Sequence, residues 1–132
     1  MRTATAFLLL FLTCCSAPYE LPKSICDLST LASWSGADVR WHGVVVGGYH
    51  GYSLVAEDCQ RRGIALDGFG GSTLDKAIND RGLKTGLLRA DVSGKIIERD
   101  GDYRLLVTKV HSVAFEPMGD EAYYQYWRSK GF

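Results

Sequence analysis

The stretch from Gly86 to Val113 most constrains the fold. In GLLRADVSGKI, Gly86, Leu88, Ala90, Val92, Gly94 and Ile96 share one parity and Leu87, Arg89, Asp91, Ser93 and Lys95 the other. Successive side chains of a strand point to opposite faces, so this alternation predicts a strand with one face toward a core and one toward water. Asp100-Gly101 follows, a dipeptide suited to the positive φ of a two-residue hairpin turn. A last strand then runs from about Tyr103 to Val113. Its RLLVTKV stretch carries apolar residues at both parities, which leaves its inward face open.

Upstream, DVRWHGVVVGGYHGYSLVAEDC gives a β-rich run from Val39 to Val46, a glycine-rich turn through Gly47, Gly48 and Gly51, and a second strand at about Tyr52 to Glu57. GIALDG, from Gly63 to Gly68, predicts a short third strand. In GFGGSTLDKAINDRG, Ser72 followed three residues later by Asp75 is a variant capping box. Leu74, Ala77 and Ile78 lie on one helical face, and Gly82 marks the end. Nearer the start, Ile25, Leu28, Leu31 and Ala32 form a short helical stripe that Ser24 can cap and Trp34-Ser35-Gly36 can stop. After the last strand, a helix can begin at Asp120 and bring Tyr123, Tyr126 and Trp127 to one side.

Three strands, a helix and two strands, β-β-β-α-β-β, is the order of a five-stranded OB-like barrel closed at one end by its helix. The expectation is therefore a mainly β chain with a short N-terminal helix and a C-terminal aromatic tail. Gly43 is the natural point for the long first strand to bend, because a Cβ would obstruct the twist. The run from Val39 also resembles small bacterial exported proteins and lipoproteins with an OB-like barrel, through Val39, Gly43, Leu54, Asp58, Cys59, Ile64 and Leu66. That resemblance extends over about Val39 to Val113; it implies the fold and carries no reaction with it.

MRTATAFLLLFLTCCSAP has a positive start at Arg2 and an apolar run from Ala6 to Leu12, too short to span a bilayer as a helix and suited to an export signal. Leu12, Thr13, Cys14 and Cys15 resemble a bacterial lipobox, with Cys14 where Gly, Ala or Ser is usual. The resemblance implies that Cys15 is lipidated and becomes the first residue, and Ser16 after it resembles the pattern of lipoproteins sent to the outer membrane. The segments expected are a lipoprotein-type signal at 1–14, a tether and short helix at 15–37, the barrel at 38–116 and the tail at 117–132. The implied address is the bacterial cell envelope, as an outer-membrane lipoprotein facing the periplasm; a secreted or soluble periplasmic chain is the alternative. In such an oxidising compartment Cys26 and Cys59 are the remaining thiols and are expected to pair.

Basic and acidic residues balance at 15 each, so the chain has no surplus of cations to displace counterions from a phosphate backbone. OB barrels bind oligonucleotides by stacking bases along a basic groove. Trp41, Tyr49, Tyr52 and Tyr103 could supply rings, and Arg40, Arg61, Arg62, Arg89 and Arg104 charge, yet the balance of the chain and an envelope address disfavour nucleic acid, and Trp41 reads more readily as core than as a stacking ring. The histidines, His42, His50 and His111, lack the close spacing of a zinc site, so no metal and no cofactor is expected. No Gly-x-Ser-x-Gly elbow is present, and the acid pairs Glu57-Asp58 and Asp100-Asp102 fall at strand ends or turns where carboxylates are commonly solvated. GFGGS could offer amides to an anion but lacks the Gly-Lys-Ser/Thr ending of a nucleotide loop.

The functional expectation is a non-enzymatic binding or accessory module, held to the membrane by its N-terminal lipid and serving an envelope protein or glycan. Its candidate binding surface is Trp41, Tyr49, Tyr52, Tyr123, Tyr126 and Trp127. The competing classes are a metal-dependent or other enzyme on the same barrel, using His42, His50 or His111, and a secreted inhibitor of a hydrolase.

Overall fold

A computed structural model describes residues 24–27 and 34–132. The expected signal at 1–14, the lipidation site Cys15 and the helical positions Leu28, Leu31 and Ala32 lie outside the described residues. The elements are β1 (Asp38–Gly48), β2 (Gly51–Val55), β3 (Gly63–Asp67), α1 (Thr73–Arg81), β4 (Gly86–Arg99), β5 (Asp102–Pro117) and α2 (Asp120–Ser129), preceded by a 3-10 turn at Ile25–Asp27. Strands outweigh helix, as expected. The order differs from the expected series by α2, a helix of 10 residues after β5, and by the 3-10 turn in the described part of the N-terminal stripe.

The five strands close into a ring in the order β1-β2-β3-β5-β4. All neighbours are antiparallel except β3 and β5, which run parallel from Ala65 opposite Arg104 to Asp67 opposite Leu106. β1 serves both sides of the ring: Asp38 to Val44 pair with β4, and Val44 to Gly48 pair with β2. The change of partner falls beside Gly43, where an added Cβ would collide with the carbonyl oxygen of Val55. Gly94 meets the same constraint from the carbonyl of Leu106. Both residues face inward where opposing backbones approach most closely, which explains the absence of a side chain there.

The alternation in β4 places Leu88, Ala90, Val92 and Ile96 in the core with Trp41, Val45, Leu54, Ile64, Leu66, Leu105 and Val107. β5 resolves its own ambiguity with two β-bulges. Asp91 and Val92 pair with Ser112 and Val110, passing over His111, while Ser93 and Gly94 pair with Lys109 and Val107, passing over Thr108. Each extra residue shifts the parity by one, so Tyr103, Leu105, Val107, Val110, Val113 and Phe115 all pack toward the core despite their irregular spacing. At the other end of the hairpin, Asp100 and Gly101 take φ of 53° and 84°, the left-handed pair that a two-residue turn requires.

α1 is capped as expected: the Asp75 N–H donates to Ser72 Oγ at 3.3 Å, and Leu74 and Ile78 are buried beneath the helix. The segment before β1 also belongs to the packed domain. Ile25 is buried in the core, Gly36 N–H donates to Ile96 O at 2.7 Å, and Ile96 N–H donates to Ala37 O at 2.9 Å. Cys26 and Cys59 form the expected disulfide, with Cα atoms 5.8 Å apart, fastening this segment to the loop between β2 and β3.

Candidate binding surface

The six expected surface residues fall in three places. Trp41 is a correction: it faces inward from β1 and is 1% exposed, one of the largest side chains in the core, so it presents nothing to a ligand. The cause is parity, since Val39, Trp41 and Val45 share the buried face of β1 while Arg40 and His42 point out. Tyr49 and Tyr52 lie at the β1–β2 turn, and Tyr123, Tyr126 and Trp127 on α2.

The turn carries an open cleft of about 480 Å³ along the outer face of the β1–β2 hairpin, reaching Ala65 on β3 and Asp102 and Arg104 on β5. Gly48 pairs with Gly51 across the two-residue tip, which leaves Tyr49 fully exposed at the rim with His50 beside it. Tyr52 is half-buried and held edge-on against Phe69 at 5.8 Å between ring centroids. The far wall is fixed by charge. Arg104 Nε lies 2.9 Å from Asp67 Oδ2, an ion pair whose alignment falls short of a hydrogen bond, and Arg99 Nη1 reaches the same oxygen at 2.9 Å. The Asp67 carboxylate is shared by two guanidiniums, and Asp102 brings a second carboxylate to this wall. The cleft thus offers an exposed ring, a hydroxyl at Ser53, an imidazole, a carboxylate at Asp102 and the Arg104 side chain.

α2 returns to the outer wall of the ring. At its start Thr85 Oγ1 donates to Asp120 Oδ1 at 3.0 Å; at its end Arg61 N–H donates to Lys130 O at 3.1 Å, and Gln60 Nε2 to Ser129 O at 3.4 Å. Between these anchors, Val44, Val55 and Leu87 are buried although they stand on the outward parity and outside the inner core. Tyr123, Tyr126 and Trp127 are the half-buried positions of the helix, at the spacing of a single face, so this face is engaged by the ring. Trp127 also stacks edge-on with Tyr126 and Phe132, at centroid distances of 5.1 and 5.7 Å. Tyr124, by contrast, is exposed.

Beneath α2 lies a polar network that sequence reasoning missed. Glu57 Oε1 accepts from Arg89 Nε at 2.9 Å and from the Tyr126 hydroxyl at 3.0 Å, Arg89 Nη1 also reaches Glu116, and Lys130 Nζ donates to the Glu57 carbonyl. Burial, and then the hydrogen bond to Glu57, hold the Tyr126 phenol well above its ordinary pKa. Glu57 is therefore no solvated strand-end acid. Its signal in the sequence was only its neighbour Cys59, which tethers the same loop.

The histidines do not converge. His42 and His111 stand on β1 and β5, with β4 between them, and His50 is at the turn. Asp91 occupies the intervening strand; a two-pronged hydrogen bond from Arg40, at 3.0 and 2.8 Å, lowers its pKa, with His111 and His42 adding smaller attractions. His111 Nε2 lies 2.6 Å from Ser93 Oγ. Among the described residues, no group of three or more His, Cys, Asp or Glu could hold a metal ion. In the GFGGS loop the Gly71 N–H donates to Asp75 Oδ2 at 2.8 Å, so a carboxylate of the chain itself takes the place an anion would occupy.

Among the described residues no helix is long and apolar enough to cross a membrane. No family model, curated protein or solved structure matches the chain.

Proposed function

We propose that the protein is an OB-type barrel tethered through a lipid on Cys15 to the outer membrane of a bacterial envelope, where it binds an envelope glycan without catalysing a reaction. The ring order, the parallel β3–β5 pair, the β1 strand shared by two partners and the helix between β3 and β4 support the OB assignment. In that architecture the β1–β2 and β4–β5 loops flank the face that takes oligosaccharides and oligonucleotides. The balanced charge of the chain disfavours the second ligand.

The observation that carries the reading is the cleft at the β1–β2 turn. The Tyr49 ring gives a sugar an apolar plane with a polar tip, and Ser53, His50, Asp102 and Arg104 give its hydroxyls donors and acceptors. The lipobox-like Leu12–Cys15 run supports the tether.

Two measurements test this. Labelled palmitate fed to expressing cells should enter the wild-type chain and not Cys15→Ser. Purified protein titrated with solubilised peptidoglycan fragments and with lipopolysaccharide core oligosaccharide should bind one of them, and Tyr49→Ala should lose that binding. Failure of both glycans to bind, with an envelope protein cross-linked through Tyr49 instead, would replace the glycan with a protein ligand.

A further inference from the structure

Among the described residues, β5 is paired on both sides only where Arg104 to Leu106 meet Ala65 to Asp67 of β3. From Lys109 to Pro117 its β4 side is paired except at the bulged His111, while its other side, among the described residues, faces α1 rather than a strand. Beyond the second bulge, Ser112 to Pro117 pair with β4 without interruption, so this is a regular strand whose other edge has no strand partner among the described residues. Such an edge presents N–H and C=O groups that another strand can pair with.

A groove follows that edge. One part, of about 410 Å³, lies between Lys76, Ala77 and Asp80 of α1 and Ser112, Val113 and Phe115 of β5. It continues into a recess of about 200 Å³ formed by Ala77, Asp80, Arg81, Lys84 and Phe115. The floor is apolar, since Ala77, Val113 and Phe115 pack against the core from above without being sealed by it. The rim is cationic in effect. Lys76 is answered by Asp80 at 2.7 Å, whereas among the described residues no carboxylate pairs with Arg81 or Lys84, and Arg81 Nε is buried without a hydrogen-bond partner.

We propose that this groove docks an extended acidic segment of a partner protein, which adds as a strand along Ser112–Glu116, sets an apolar side chain over Ala77 and Phe115, and brings a carboxylate to Arg81 and Lys84. Main-chain pairing supplies affinity in this mode and the pockets for alternate side chains supply selectivity. Charge decides against a second copy as occupant: the free stretch of β5 carries Lys109 and His111 and only Glu116 as an acid. The groove lies on a different part of the ring from the β1–β2 cleft, so it does not depend on the glycan reading.

The test is selection from a random twelve-residue peptide library on the immobilised full chain. Enriched peptides should alternate apolar residues and carry Asp or Glu, and the tightest of them should protect the backbone amides of residues 112–116 from hydrogen exchange. Lys84→Glu, in a loop where the fold asks little of it, should weaken that peptide by about tenfold with an unchanged melting temperature. Ala77→Trp should fill the recess and block it. No enrichment, enrichment of neutral or basic sequences, protection elsewhere on the ring, indifference to Lys84→Glu, or dimerisation through β5 in sedimentation would each overturn the proposal.

Discussion

The Tyr126 hydroxyl donates to Glu57 Oε1 at 3.0 Å, joining α2 to the loop after β2 across 69 positions of sequence. The same carboxylate oxygen holds Arg89 on β4. The docking of α2 and the position of Arg89 are therefore coupled through one acceptor. Tyr126→Phe should cost about 1 kcal/mol of stability, the net worth of an ordinary hydrogen bond. Glu57→Ala should cost more, because it leaves two donors without their acceptor. A double-mutant cycle in urea should show the two losses to be non-additive.

Tyr126 also predicts an alkaline transition. Its pKa in the folded chain is raised above the ordinary value of 10.0, so the folded state holds the phenol protonated where the unfolded chain would ionise it. The stabilisation is complete below pH 10, and it is lost as pH rises further and α2 must release the ring. Ultraviolet difference spectra should show a tyrosine ionisation displaced to higher pH, and Tyr126→Phe should remove that step.

Gly94→Ala would drive a methyl group into the Leu106 carbonyl and bring it within 3.0 Å of Leu105 Cδ1. Backbone offers little room to give, so the loss should reach roughly 3 kcal/mol, the upper end of the overpacking range. Chemical denaturation measures it directly. An alanine at Gly70, whose Cβ would meet nothing within 4 Å, is the control.

The Cys26–Cys59 bridge closes a loop of sequence separation 33. Replacing both cysteines with alanine should cost about 3–4 kcal/mol on the chain-entropy account. Intact mass under non-reducing conditions, before and after alkylation, should find no free thiol at either position in protein purified without reductant.

Tyr49→Ala should leave the unfolding free energy almost unchanged, within about 0.5 kcal/mol in urea denaturation, because its ring touches solvent on every side. If the same substitution abolished folding, the β1–β2 tip would be structural, and the cleft would need another explanation.

What was legible in the sequence was local. The Ser72 cap, the Asp100-Gly101 turn, the parity of β4 and the need for a glycine at position 43 each depend on a few neighbouring residues and the stereochemistry of the backbone. What was hidden depends on partners far along the chain. The faces of β5 are set by bulges that exist only in register with β4. Glu57, Arg89 and Glu116, separated by 32 and 27 positions, look like ordinary surface charges until the ring closes. Trp41 stood both among the candidate surface rings and as a core residue, and it proved to be core, because a large aromatic on a strand announces its size in the sequence and not its side.

The two bulges have a corollary for how such a strand tolerates insertion and loss. Thr108 and His111 are supernumerary to the in-and-out code: excising either would leave every other side chain of β5 on its present face, whereas adding one residue in the regular stretch after Ser112 would turn the remainder over. Both of them reach toward Ser93, through its carbonyl and its hydroxyl respectively. Curvature is thus specified here by the number of residues and alternation by their kind, and an engineer could vary the first without disturbing the second.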